Sequence, residues 1–364
     1  MTFVSDTESY ERWRAGRIPV VEGDLETKHK LMAESAFVLL RGTYYRFAKQ
    51  FFARERSLAQ APQTVAVGDL HIENFGTWRD RDGRLAWGVN DLDEIDLLPY
   101  TIDLVRLATS ALLAIREQHL SLAEDVACES ILSGWRERMQ ARTIVPFVIG
   151  EHNSHLYRLA SEAFTPPVRF ARTIAKLPPF DGALPKSAAR LVAQATPWPG
   201  FKPTLRTRTA GVGSLGSRRI VCAGVLDGGL VVREAKQIPG PATAWLFPKR
   251  ERPPRLASAA FDSHGVAADP FHLQRGKWVV RALAPDATRL ELATLKRRHD
   301  ERAFLASMGA EAANVHLTDH ELTSAAKAAA EDCRRRPNGW LLKAAERMAR
   351  ATERDLVAWR KHTT

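Results

Sequence analysis

Only three cysteines occur in 364 residues, Cys128, Cys222 and Cys333, scattered and odd in number. That excludes a disulfide framework and predicts a reducing compartment. No apolar run approaches the roughly 20 residues needed to cross a bilayer. The opening Met1-Thr2-Phe3-Val4-Ser5-Asp6 lacks the basic-then-apolar order of a secretion signal. A cytoplasmic protein without a membrane partner is the expectation. Neither H-E-x-x-H nor C-x-x-C is present, so a zinc site has no motif behind it. Internal repeats, heptads and low-complexity tracts are missing as well.

What the chain does have is basic charge and a large apolar fraction. Lys and Arg number 53 against 42 Asp and Glu, a formal net charge of +11. Such an excess attracts phosphates, acidic partners or nucleic acid. The basic runs Lys249-Arg250-Glu251-Arg252, Lys296-Arg297-Arg298 and Arg334-Arg335-Arg336 carry no interleaved aromatics of the kind that stack on single strands. Nucleic acid is therefore an alternative partner and not the favoured one; a solvated basic surface is the plainer explanation. The 45% hydrophobic content suffices for a sizeable core in one two-lobed unit or two domains.

The most informative run is Gly68-Asp69-Leu70-His71-Ile72-Glu73-Asn74. An Asp precedes an Asn by five positions, directly after an apolar segment, Thr64 to Val67, that reads as a buried strand. A turn at Asp82-Gly83 and a second apolar strand, Leu85 to Val89, then lead into Asn90-Asp91-Leu92-Asp93-Glu94. Phosphoryl-transfer sites use such a pair of elements: a loop Asp that orients the acceptor, an Asn on a metal ion, and a second Asp on the metals that bridge phosphates. Two plainer alternatives stand beside this. Asp69 and Asn74 could only cap turns. His71 and Glu73, or Asp91, Asp93, Glu94 and Asp96, could form a metal cluster without phosphoryl transfer.

G-D-x-H-x-E-N-F-G followed by N-D-x-D-E resembles the bacterial domain-of-unknown-function family 2252, grouped with the protein-kinase-like and aminoglycoside-phosphotransferase-like proteins. The resemblance implies Asp69 as catalytic base, Asn74 as a metal ligand, Asp91 as the main metal ligand and Asp93 as a second. It also implies that Asp103, in Tyr100-Thr101-Ile102-Asp103-Leu104, braces the catalytic loop. Val67 departs from the pattern, standing where those phosphotransferases carry His or Tyr. Phe37, Arg41 and Gly42 are similar to the family's F-x-x-x-R-G run; Arg41 is expected to pair with a surface carboxylate, with contact to the catalytic loop as the alternative.

A glycine-rich phosphate loop comes late. Gly211, Gly213, Ser214 and Gly216 lie in Ala210 to Arg219, followed by an apolar strand, a turn at Asp227-Gly228-Gly229, and a strand from Leu230 to Lys236. Glycines let backbone N–H groups approach phosphate oxygens. The run opens a hairpin rather than a helix and no G-K-[ST] follows, which argues against Rossmann and Walker A loops. Arg233 or Lys236 supplies the phosphate-binding cation; three residues apart on a strand, they face opposite sides, so only one can serve. Glu251 is a weaker candidate partner for that cation. The single histidines His152 and His155 read as surface or core residues.

Helices are expected over Glu26 to Ala53, from Pro99 to Ile115, and from Leu122 to Arg142. The prolines between Thr165 and Pro203 predict loop or connector. A last strand, Lys277 to Leu283, and a hinge at Pro285 precede helices at Thr288–Met308, Thr318–Cys333 and Asn338–Arg360, which bring the termini together. The resulting expectation is an α+β, two-lobed protein-kinase-like fold, circularly permuted. Residues 1–200 form a mainly helical catalytic part, 201–284 a smaller β-rich nucleotide part, and 285–364 helices that return to the first. Its expected function is ATP- and Mg²⁺-dependent phosphoryl transfer to an unknown small-molecule or protein acceptor. A nucleotide-binding pseudokinase and adenylyl transfer are the alternatives.

Overall fold

The structure, a computed structural model, describes residues 2–150, 153–198, 200–251, 267–289, 301–318 and 323–363. It is a mixed α+β molecule in which a helical body packs beside a five-stranded sheet. The chain starts with α1 (Phe3–Ala15), α2 (Glu22–Met32), α3 (Ala36–Gly42), α4 (Tyr44–Arg54) and the single turn α5 (Arg56–Ala59). The one or two helices expected over Glu26 to Ala53 are thus cut into shorter pieces. Local chemistry makes the cuts: the Ser35 hydroxyl accepts from Val38 N and starts α3, and Thr43 leaves helical geometry at φ −135°.

Strands β1 (Gln63–Ala66), β2 (Phe75–Arg79), β3 (Leu85–Val89) and β4 (Asp96–Pro99) follow. β1 pairs antiparallel with β4, and β2 with β3 across the Asp82-Gly83 turn. Pro99 ends β4 rather than opening a helix, so α6 spans Thr101–Arg116. Nearly every residue of α6 is buried, since α3, α7 (Glu124–Ala141) and the C-terminal helix surround it. A short β5 (Phe147–Val148) joins β3.

The proline-rich middle is more ordered than its composition suggests. After α8 (Ser154–Ala163), it holds α9 (Pro167–Ala175) and α10 (Lys186–Gln194). Some of its prolines sit at helix starts, Pro167 in the first turn of α9 and Pro185 capping α10, where a missing N–H costs nothing, while Pro178, Pro179, Pro197 and Pro203 lie in irregular segments. The expectation of loop throughout fails for that reason. Position 199, near the expected boundary between the parts, lies outside the described residues.

The large sheet runs β6–β7–β8–β10–β9, all antiparallel, from β6 (Thr204–Thr207), β7 (Arg219–Leu226), β8 (Gly229–Gln237), β9 (Leu273–Arg275) and β10 (Trp278–Ala282). Side-chain alternation gives it two apolar faces. Ile220, Cys222, Ala235 and Val280 pack on Leu191 and Val192 of α10, while Val221, Ala223 and Val232 pack on Ile174 of α9. The short α11 (Thr243–Leu246) follows β8.

After Pro285 the chain lies along β2, with Thr77 N donating to Thr288 O at 2.9 Å. The helix expected from Thr288 does not start there: Thr288 and Arg289 are extended along β2, where main-chain bonding to that strand holds them, and the described helix is α12 (Glu301–His316). Residues 290–300, with the run Lys296-Arg297-Arg298, and His152 lie outside the described residues. α13 (Thr323–Arg335) and α14 (Trp340–Thr363) complete the chain. α7 and α12 cross at two glycines. A Cβ on Gly134 would lie 1.9 Å from Ala306 O, and one on Gly309 1.9 Å from Ile131 O. The two ends of the chain meet: the Phe3 ring packs edge-on against Trp359 at 5.6 Å, and Arg46 binds both Asp6 (2.5 Å) and Asp355 (2.9 Å). Trp135, Trp278 and Trp340 are buried. No described helix is long and apolar enough to cross a membrane.

Candidate functional site

The loop between β1 and β2 is held from below. Val67 N and Gly68 N donate to the two carboxylate oxygens of Asp103, each at 2.8 Å. Trp135 Nε1, which can only donate, lies 2.9 Å from His316 Nδ1, so His316 Nε2 carries the proton and donates to Asp103 at 3.0 Å. Three helices thus converge on the backbone of one loop. Gly68 has φ +77°, and a Cβ there would lie 2.6 Å from Glu94 O and 2.7 Å from the Tyr44 hydroxyl, so only glycine fits.

This support points Asp69 into a cleft between the helical body and the sheet. Its Oδ1 accepts from Arg106 Nε at 2.8 Å, and Arg106 Nη2 bonds the same oxygen. Arg106 is fully buried, stacked over Tyr44 and Phe47. Oδ2 of Asp69 faces the glycine loop, 3.6 Å from where a Cβ on Gly213 would be. Burial pushes the Asp69 carboxyl up, and Arg106 offsets part of that shift.

Asn74 clamps the two loops together. Its Nδ2 donates to Asp69 O and Asp91 O, and its Oδ1 accepts from Asp91 N, all at 3.0 Å. Asp91 and Asp93 converge on the ammonium of Lys236, Asp91 Oδ2 at 2.7 Å. Burial opposes ionisation of Asp91, but Lys236 holds it well below the usual carboxylate range. Burial and the neighbouring Asp91 charge push Asp93 up to about 6.

Lys236 lies on β8, the third strand of the large sheet, and the glycine loop between β6 and β7 closes over the same place. Gly211, Gly213 and Ser214 line the cavity that contains Asp69, Asn74, Asp91 and Asp93. Gly216 sits beneath them with φ +84°, where a Cβ would lie 2.8 Å from Arg14 Nη1. Arg14 fixes this loop by donating to Leu215 O and Ser217 Oγ, both at 2.8 Å.

Arg233 is not brought to the cleft. It donates to Ala195 O at 2.9 Å and stacks over Phe271 at 4.0 Å on the other face of β8. Glu251 is exposed and is not a partner of Lys236. Arg41 pairs with Glu73 of the loop itself at 2.6 Å, not with a surface carboxylate. The metal cluster considered around His71 and Glu73 or Asp91 to Asp96 does not form. His71 Nδ1 accepts from Glu73 N, Glu94 accepts from Ala242 N, and Asp96 from Thr243. Among the described residues no group of three or more His, Cys, Asp and Glu is arranged to hold a metal ion. His155 bonds Ser307 at 2.9 Å, away from the cleft.

Arg14, Arg106, His316 and Arg289 carry much of this geometry and have no spacing signature in the sequence. The cleft continues past Gly211 and Arg289 into a second, larger cavity beneath the sheet.

No curated protein and no solved structure matches the chain. One family model does, that of an uncharacterized protein conserved in bacteria (DUF2252), over residues 20–145, the stretch that carries Arg41, Asp69, Asn74, Asp91, Asp93 and Arg106.

Proposed function

We propose that the protein is an ATP- and Mg²⁺-dependent phosphotransferase of the kinase-like type, permuted so that the catalytic loop precedes the nucleotide-binding sheet. The observation that carries this is the meeting of Lys236 with Asp91 and Asp93 beneath a glycine loop and beside Asp69. Four elements meet in one cleft and would supply the parts that phosphoryl transfer requires: a carboxylate to orient the acceptor, carboxylates to bind metal, a lysine on the third strand and a backbone cradle.

Asp91 and Asp93 fit Mg²⁺: two hard oxygens already converge on one cation, and Mg²⁺ favours one or two carboxylates completed by phosphate oxygens and water. Asn74 fits as a clamp, because its Oδ1 is used by Asp91 N. When bound, the ion would neutralise charge on the bridging phosphate oxygens. Lys236 would shift from the carboxylates to the phosphates, and Gly211, Gly213 and Ser214 would cover them, with Gly216 turning the loop against Arg14. Asp69 would orient the acceptor hydroxyl or amine through Oδ2, its Oδ1 being held by Arg106.

Calorimetric titration of ATP, with and without Mg²⁺, into wild type and Asp91→Ala tests this. Mg²⁺-dependent binding that is lost in the variant is expected. Absence of ATP binding by the wild type at millimolar concentration overturns the proposal. A second reading, nucleotide binding without turnover, is favoured by the Arg106 contact, which occupies one oxygen of Asp69. Stoichiometric ATP binding with no ADP formed over hours would support it.

A further inference from the structure

The larger cavity of the cleft has walls that sequence reasoning did not anticipate. Arg208 from the end of β6, Arg219 from β7, Arg281 from β10 and Arg289 from the segment along β2 all line it. The carboxylate among them is Glu234, fully buried, which receives Arg208 at 2.6 Å, Arg219 at 2.7 Å and Arg281 at 3.0 Å. Burial works against its charge, yet the three guanidiniums hold it well below the usual carboxylate range. Arg289 makes no ion pair with a described residue, although its backbone bridges Gly76. Asp269 also lines the cavity, but burial pushes it up to about 6 and Phe271 N occupies its Oδ1 at 2.9 Å.

Four permanent cations therefore face two carboxylates, one of them already triply engaged. Cationic groups gathered out of bulk water repel one another unless an anion joins them. Guanidinium forks match phosphate oxygens in pairs, and Arg stays charged at any working pH. Arg289 and Gly211 line both cavities, so a chain of phosphates could run from Lys236 past the glycine loop into this space.

We propose that the larger cavity is an oligophosphate site, in which Arg208, Arg219, Arg281 and Arg289 bind phosphate oxygens. This goes beyond the phosphotransferase reading, since the arginines would hold free polyphosphate or the phosphates of a nucleotide alike. The apolar edge formed by Val89, Ala282 and Leu283 is left for whatever the phosphate chain carries.

Inorganic tripolyphosphate is the probe, titrated calorimetrically at low salt without metal. Arg289→Met removes a cation that forms no ion pair with a described carboxylate, Asp91 acting on it only at longer range, and Arg208→Met leaves Glu234 with Arg219 and Arg281, so both should fold; melting curves check this. Arg275→Met, at the exposed end of β9, removes the same charge elsewhere. One-to-one binding is expected, weakened roughly tenfold by each cleft variant and unchanged by Arg275→Met. No binding by wild type, or equal loss in all three variants, overturns the proposal. Comparing ATP with tripolyphosphate separates the sources: equal affinity means that the phosphates alone are read, and tighter ATP means a nucleotide. If tripolyphosphate binds as predicted but ATP with Mg²⁺ shows no dependence on Asp91, the phosphotransferase reading fails and this site stands. If ATP with Mg²⁺ behaves as predicted and the arginine variants change nothing, this proposal alone fails.

Discussion

Arg106, fully buried, donates through Nε to Asp69 Oδ1 at 2.8 Å, in the loop between β1 and β2. The pair fixes the carboxylate's rotation and leaves Oδ2 toward the glycine loop. Removing the arginine alone would strand a desolvated carboxylate. Arg106→Met should therefore cost about 3 kcal/mol of stability. The double variant Arg106→Met with Asp69→Asn should recover at least about 1 kcal/mol of the summed single losses. Urea unfolding of the four proteins measures this, and strictly additive losses would show that the pair is not coupled.

Lys236 and Arg233 differ in the face of β8 they occupy, and their substitutions should differ accordingly. Lys236→Met should weaken ATP binding with Mg²⁺ by roughly tenfold or more, through loss of a charged donor. Arg233→Met should leave that affinity unchanged while costing about 1 kcal/mol of stability, for its bond to Ala195 O. Calorimetry and unfolding on both variants check the split; equal effects on ATP would place the cleft on the wrong face.

Glu94 should give the protein a distinctive pH dependence. Burial, with the nearby charges of Asp69, Asp93 and Asp91, raises its carboxyl from 4.5 to about 8 in the folded state. Between those values the folded chain keeps a proton that the unfolded chain releases, so Glu94's contribution is fully present below the lower value and is lost as pH rises through the upper one. Glu94→Gln removes that dependence. The stability of wild type relative to the variant should fall by roughly 3.5 kcal/mol from pH 5 to pH 8. Urea midpoints at three pH values report it, and parallel curves would exclude it.

The crossing of α7 and α12 should tolerate no side chain at its glycines. Gly134→Ala and Gly309→Ala each set a methyl against a carbonyl oxygen at 1.9 Å, so the helices must separate. A loss of about 3 kcal/mol is expected. Gly23→Ala in α2, where nothing lies within 4 Å, should stabilise by about 0.5 kcal/mol. Chemical denaturation of the three variants tests the contrast.

The strands around Asp69 and Asp91 were legible because each is a short apolar run ending in turn residues, and β8 because a turn precedes its alternation. Which face of β8 meets the cleft was not legible. Alternation separates Arg233 from Lys236 but does not say where the helical body lies. Asn74 shows the same limit: its Oδ1 is taken by a backbone N–H 17 positions away, a contact that no local pattern announces. Arg106 and Arg289 were invisible for a different reason. In a chain with 53 Lys and Arg, one more arginine on a helix or loop carries no signal until its neighbours are known. The helices between the prolines were missed because proline at a helix start and proline in a loop look alike in composition.

Phe3 rests on Trp359, and Arg46 ties Asp6 to Asp355. During synthesis those partners are separated by the time needed to make most of the chain. The large sheet has no such wait, for all its strands lie between Thr204 and Ala282. A growing chain would then carry a finished sheet while the part of α1 and α4 that meets α14, Phe3 foremost, stays uncovered until α14 emerges. Closing so long a loop is slow, and exposed apolar surface aggregates. The docking of α14 would set when α1 is shielded from such association.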